Sequence, residues 1–132
     1  MRVLVTGSRG FVGKNLVVRL GELQGFEVLC FDRDDASHTL ADKVLQSDAV
    51  VHLAGENRPK DVAHFEQGNA GLTKALCSAV QASGRKIPLV LASSTQVDLP
   101  NPYGQSKRAA EQTVEELAST AGNPVVIYRL PR

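Results

Sequence analysis

The sequence predicts an α/β domain in three layers, a parallel sheet doubly wound by helices on both faces. Short β-branched and aliphatic runs alternate with stretches of helical period, and a glycine-rich turn links the first run to the first helical stretch. At 132 residues and 42% hydrophobic content, the chain suits one compact domain with its own core.

Each element has its own signal. RVLVT at 2–6 reads as the first strand, FVGKNLVVRLGEL from Phe11 as the first helix, and EVLCF at 27–31 as the second strand. Only sixteen residues separate Asp32 from Ala49, room for a short helix from Thr39 to Gln46 and at best a vestigial strand. The third strand of the pattern is therefore compressed. AVVHLA at 49–54 follows, then a long helix over 65–83 that turns Leu72, Leu76, Ala79 and Val80 inward. IPLVLA at 87–92 is the next strand. A second long helix over 103–121 turns Ala110, Val114, Leu117 and Ala121 inward, and PVVIYRL at 124–130 closes the alternation.

Composition excludes several tasks. Fifteen basic residues stand against fourteen acidic ones with no basic stripe, and two tyrosines and four phenylalanines offer little for base stacking, so no nucleic acid is expected as a partner. No apolar run approaches a bilayer span, and MRVLVTG breaks at glycine too early for a leader, so no membrane partner and a cytoplasmic location are expected. Cys30 and Cys77 lie apart inside apolar runs and in no metal-ligand spacing, which predicts two buried free thiols and no metal site.

The chemistry begins at VTGSRGFVG, residues 5–13. Gly7, Gly10 and Gly13 fall where the first strand gives way to the first helix, so the chain can turn tightly and lie close to a ligand. Backbone N–H groups at Phe11, Val12 and Gly13 and the positive end of the helix then face an anion such as a dinucleotide pyrophosphate. The spacing is G-x-x-G-x-x-G rather than the commoner G-x-G-x-x-G. Asp32 ends the second strand nineteen residues after Gly13, placed to accept adenosine ribose hydroxyls, which favours NAD(H). Arg9 and Arg33 argue for a 2′-phosphate instead, each being equally suited to a solvated surface. The balance leans to NADP(H). Leu53, Ala54 and Gly55 leave the next strand where a cofactor would cross the sheet edge. Asn57 and Arg58 either contact substrate or fix their loop, Asn69 either supports the active centre or starts a helix, and His52 reads as a packed strand residue.

The segment ASSTQVDLPNPYGQSK, 92–107, completes the pattern. Tyr103 and Lys107 are four apart on one helix face, and Asn101-Pro102 suits a cap and first helical position, putting Tyr103 in the first turn. VTGSRGFVG, HLAG, the Ser93-Ser94 pair, Tyr103 with Lys107 and the closing YRLP together resemble the extended short-chain dehydrogenase/reductase (NAD-dependent epimerase/dehydratase) superfamily, whose fold is Rossmann-like. GFVGKNL, HLAGENRP, FEQGN, SSTQ and NPYGQSK are most similar to the bacterial capsular polysaccharide and O-antigen UDP-ketosugar reductases of L-fucosamine-type precursor synthesis.

That resemblance implies a catalytic trio. Tyr103 would give a proton to a sugar ketone, Lys107 would tune the phenol and hold the nicotinamide ribose, and Ser94 would bind the ketone oxygen; Pro131 would lie beside the cofactor. Ser93 and Thr95 rank below Ser94, since strand alternation turns them elsewhere. Thr95 and Gln96 stand where 4,6-dehydratases of the superfamily carry an acidic pair, which disfavours dehydration. A 4-epimerase using the same Tyr and Ser, and a non-catalytic NADP-binding sensor or scaffold, are the alternatives. The resemblance further implies a homodimer through the helices at 65–83 and 103–121. The chain stops after YRLP, before the C-terminal substrate region of such enzymes, so the expectation is a cofactor-binding portion that turns over little nucleotide sugar unaided.

Overall fold

In the computed structural model, which describes residues 1–55 and 70–131, five parallel strands form one sheet. They are β1 (Arg2–Thr6), β2 (Glu27–Phe31), β3 (Ala49–His52), β4 (Leu89–Ser94) and β5 (Val125–Leu130), in the order β2-β1-β3-β4-β5. The helices are α1 (Phe11–Glu22), α2 (Thr39–Gln46), α3 (Leu72–Ala82) and α4 (Pro102–Ala121). From β1 the chain winds outward to β2, then returns to place β3 on the other side of β1. That reversal opens a crevice at the carboxyl ends of β1 and β3.

The passage after Asp32 goes further than compression. It forms α2 and no strand, so β2 is an edge of the sheet. The register Leu4↔Leu29, Leu4↔Val50, Val50↔Leu89 and Leu89↔Val125 lines up one apolar row across all five strands. That row meets Leu40 and Val44 of α2, Leu76 and Val80 of α3, and Ala110, Val114 and Leu117 of α4, all buried. Leu72, Ala79 and Ala121 pack at its margin, half-buried. Cys77 is buried as expected, whereas Cys30, on the edge strand, is only partly covered; both thiols are free.

The opposite face is unevenly covered. α1 lies against β1, where Val3 and Val5 are buried, but Val126, Tyr128 and Leu130 of β5 are 46%, 58% and 39% exposed. Among the described residues no helix is long and apolar enough to cross a membrane, and no group of three His, Cys, Asp or Glu side chains is disposed to hold a metal ion.

Candidate active site

Two adjoining cavities, of about 690 and 740 Å³, form a cleft along the carboxyl edge of the sheet and share Gly7, Gly10, Leu53 and Gly55. One end is lined by Phe11, Val12, Gly13, Ser94, Tyr103, Lys107 and Pro131, the other by Arg9, Asp32, Arg33 and Ala54. Every described residue nominated from the sequence therefore faces one cleft. Asn57, Arg58 and Asn69 lie outside the described residues.

The glycine loop is shaped by contact. Gly7 adopts a positive φ of 69° and lies so close to the β3 turn that a Cβ would come within 2.8 Å of Ala54. A Cβ at Gly13 would come within 2.1 Å of the Gly7 carbonyl oxygen, so the first turn of α1 can press onto the loop only without one. At Gly10 the nearest protein atom to such a Cβ would be 3.5 Å away. A side chain there would fill the cleft rather than strike the fold, the disposition expected where a pyrophosphate lies. No side chain caps α1 and no acidic residue occupies its first turn, leaving that end to an anion. These features fit a dinucleotide.

At the adenosine end, the Asp32 carboxylate accepts from the Ser8 hydroxyl at 2.5 Å and the Arg9 amide at 3.3 Å. Asp32 thus fastens the glycine loop to the end of β2. The Arg9 guanidinium donates to Asp34 at 2.5 Å, and this hydrogen bond, with the surrounding carboxylates, raises its pKa. Both partners are mostly exposed, so solvent screens the pair. Sequence alone does not nominate Ser8 and Asp34, because only the folded loop brings them to Asp32 and Arg9.

Beneath the centre of the cleft lies His52, 1% exposed. Thr6 Oγ1 accepts from the Leu53 and Ala54 amides at 3.1 and 3.2 Å, which directs its own proton to His52 Nδ1, 2.6 Å away. Nε2 then carries the ring proton and donates to Thr73 Oγ1 at 2.9 Å. Burial first, and the Lys107 charge second, push His52 down to about 3, so the ring is neutral. It is the packed strand histidine its position predicted, bracing the turn that floors the cleft.

At the other end, the Asn101 side chain accepts from the Gly104 amide at 2.7 Å and Pro102 opens α4. Tyr103 follows in the first turn, half-buried. Burial raises its phenol pKa and a hydrogen bond with Ser94 partly opposes the rise. The expected lowering of the phenol by lysine is thus replaced by a net increase. Lys107 Nζ donates to the Ala92 carbonyl at 2.9 Å, and burial lowers its pKa to about 8 against an opposing pull from Glu111. Ser94 and Ser93 both line this end of the cleft, and the Ser93 hydroxyl faces Glu111 of α4. The phenol, the Ser94 hydroxyl and the lysine therefore converge at one end of the cleft.

The sequence profile of the NAD dependent epimerase/dehydratase family matches residues 3–132. The chain belongs to that family. Within this family's reach, it is 48% identical over 131 residues to the UDP-2-acetamido-2,6-beta-L-arabino-hexul-4-ose reductase of Pseudomonas aeruginosa, covering 99% of this chain and 35% of that protein. Among solved structures it is similar to the capsular polysaccharide assembling protein CapF from Staphylococcus aureus, with TM-score 0.85, 34% identity, and coverage of 100% of this chain and 34% of that one. It is also similar to RMD from Pseudomonas aeruginosa complexed with NADPH, with TM-score 0.81, 29% identity, and coverage of 100% and 55%. The chain thus spans about a third of the length of the curated reductase and of CapF.

Proposed function

We propose that this chain is the cofactor-binding portion of an NAD(P)H-dependent reductase that acts on the 4-keto group of a UDP-linked deoxysugar in capsule or O-antigen precursor synthesis. The observation that carries the reading is the hydrogen-bonded Tyr103–Ser94 pair at one end of the cleft. Reduced nicotinamide, when bound, supplies the hydride. Gly7, Gly10 and the start of α1 hold the pyrophosphate, Leu53 to Gly55 floor the cleft, and Pro131 closes its far wall. Ser94 binds and orients the ketone oxygen, and Tyr103 delivers the proton to it. The phenol is protonated at neutral pH, as a donor must be, and burial makes it a weaker acid that leans on Lys107 and the bound cofactor for proton release. Lys107 adds a positive field beside the same oxygen and offers its ammonium to the cofactor ribose.

The test is Tyr103→Phe in a form carrying the substrate region. Reduction should fall at least about 100-fold while cofactor affinity changes less than about twofold. Retained turnover would refute the proton-donor role.

At the adenosine end the proposal is NADP(H) over NAD(H). Arg9 and Arg33 flank the ribose position, and the screened Arg9–Asp34 pair leaves the guanidinium available to a 2′-phosphate, while Asp32 is already occupied by Ser8 and Arg9. Calorimetry should show tighter NADPH than NADH binding and loss of that preference in Arg9→Ala, whereas Asp32→Ala should weaken both cofactors by loosening the loop. Binding of neither cofactor by the parent would overturn the cofactor reading. A cytoplasmic setting and a homodimer through α3 and α4 belong to the same proposal; the exposed positions of these helices include the small residues Ala75 and Ser78 together with the charged Lys74, Arg108, Glu115 and Glu116.

A further inference from the structure

We propose that Glu111, clamped by Arg129, is a positioning residue for the active centre: it is the buried counter-charge that holds Lys107 as an ammonium beside Tyr103. This inference rests on the reading of Lys107 as part of the site and assigns a task to residues outside the Tyr103–Lys107 pair.

Tyr103, Lys107 and Glu111 follow one another at four-residue intervals on α4 and so share a helix face. Lys107 and Glu111 are 6% and 4% exposed. An ammonium withdrawn from water needs an anion or it gives up its proton. Lys107 has the Ala92 carbonyl of β4 at 2.9 Å, which is a dipole and not a charge. From its own helix it feels the charge of Glu111, one turn beyond it, and from β3 it faces neutral His52. Among the described residues Glu111 is therefore the negative charge acting on it.

Glu111 is itself built to remain ionised. Arg129 of β5 grips both of its oxygens, Nε to Oε2 at 3.0 Å and Nη2 to Oε1 at 2.9 Å, the geometry in which guanidinium binds carboxylate most strongly. The Ser93 hydroxyl faces the same carboxylate without completing a hydrogen bond, and Arg108 contributes a further positive field. Burial pulls Glu111 towards neutrality; the Arg129 hydrogen bonds and these neighbours reverse it, leaving the group below its ordinary pKa. The clamp also ties α4 to β5 within a few residues of Pro131, so the counter-charge and the cleft wall move together.

The test is an NMR titration of the Lys107 side-chain 15Nζ and 13Cε resonances in the 132-residue chain, with Lys107→Arg used for assignment. In Glu111→Gln the Lys107 midpoint should fall below its parent value of about 8, and the affinity for NADPH at pH 7.5 should weaken about fivefold or more. Glu111→Asp, which keeps the charge, should restore much of both. A purely structural role would lower the thermal midpoint of Glu111→Gln and leave the Lys107 midpoint in place, which overturns the proposal. Should Glu111→Gln not fold, the parent decides alone: the Lys107 resonances must show a second inflection as Glu111 protonates in acid, and its absence overturns the proposal. If the parent binds no cofactor but Lys107 follows Glu111, the functional reading fails while the coupling stands.

Discussion

A buried lysine states most plainly what the site costs its fold. Burial moves Lys107 from 10.5 to about 8, at most about 3 kcal/mol against folding at neutral pH, and the hydrogen bond to Ala92 returns about 1 kcal/mol. Lys107→Met should therefore stabilise the domain by about 1–2 kcal/mol at pH 7, read by thermal or urea unfolding. The sign with pH is fixed. Between pH 8 and 10.5 the unfolded chain holds a proton that the folded chain has released, so the parent gains stability relative to Lys107→Met on going alkaline. The buried Cys77 thiol, raised to about 11, works in the opposite sense but equally in both proteins, so a parent-minus-variant difference that stays flat across that window would contradict the buried position. At this scale the sequence was informative wherever chemistry and spacing coincide: the glycine loop, Asp32, Ser94, Tyr103 and Lys107 were all legible and all face the cleft. Glu111 was not, because a glutamate on an amphipathic helix reads as solvent-facing until β5 supplies Arg129.

The strands and helices were predicted by period and mostly to within a few residues, since apolar runs set their own limits. What period could not show is the 3₁₀ turn at Thr95–Asp98, four residues with Val97 buried and Ser94 accepting from the Gln96 amide at 3.0 Å. That turn decides where α4 begins. Gly104 packs against it so tightly that a Cβ would lie 2.1 Å from the Gln96 carbonyl oxygen and 2.9 Å from that of Leu99. The glycine beside the tyrosine is thus a packing requirement, invisible to any argument from helix propensity. Gly104→Ala should destabilise the domain by about 1–3 kcal/mol and push the first turn of α4 outward, separating Tyr103 from Ser94. Thermal unfolding and the tyrosine absorbance titration check the two effects; an unaltered phenol titration would show that the turn does not set the position of Tyr103.

Across the whole molecule, the doubly wound sheet was legible from alternation, and the short passage after Asp32 showed compression there but not that β2 would end as an edge of the sheet. The imbalance between the two faces was not, because a strand apolar on both sides reads the same whether or not a helix covers it. Among the described residues three helices shield one face; on the other, β5 leaves Val126, Tyr128 and Leu130 to solvent. The combined change Val126→Thr and Tyr128→Thr should lower binding of an apolar fluorescent dye severalfold and alter stability by no more than about 0.5 kcal/mol. Unchanged dye binding would place the sticky surface elsewhere.

The Thr6–His52–Thr73 chain joins β1, β3 and α3 through a ring that must stay neutral. As pH falls from 6.5 towards 3, the unfolded chain takes up a proton the folded ring refuses, so acid erodes stability over that interval. Once protonated, Nδ1 can no longer receive the Thr6 hydroxyl and instead competes with the Leu53 and Ala54 amides for its oxygen, leaving the Leu53 amide its bond to the Thr6 backbone carbonyl. The cleft thus carries an acid fuse in its floor: the turn beneath it weakens with the joint between β1 and β3.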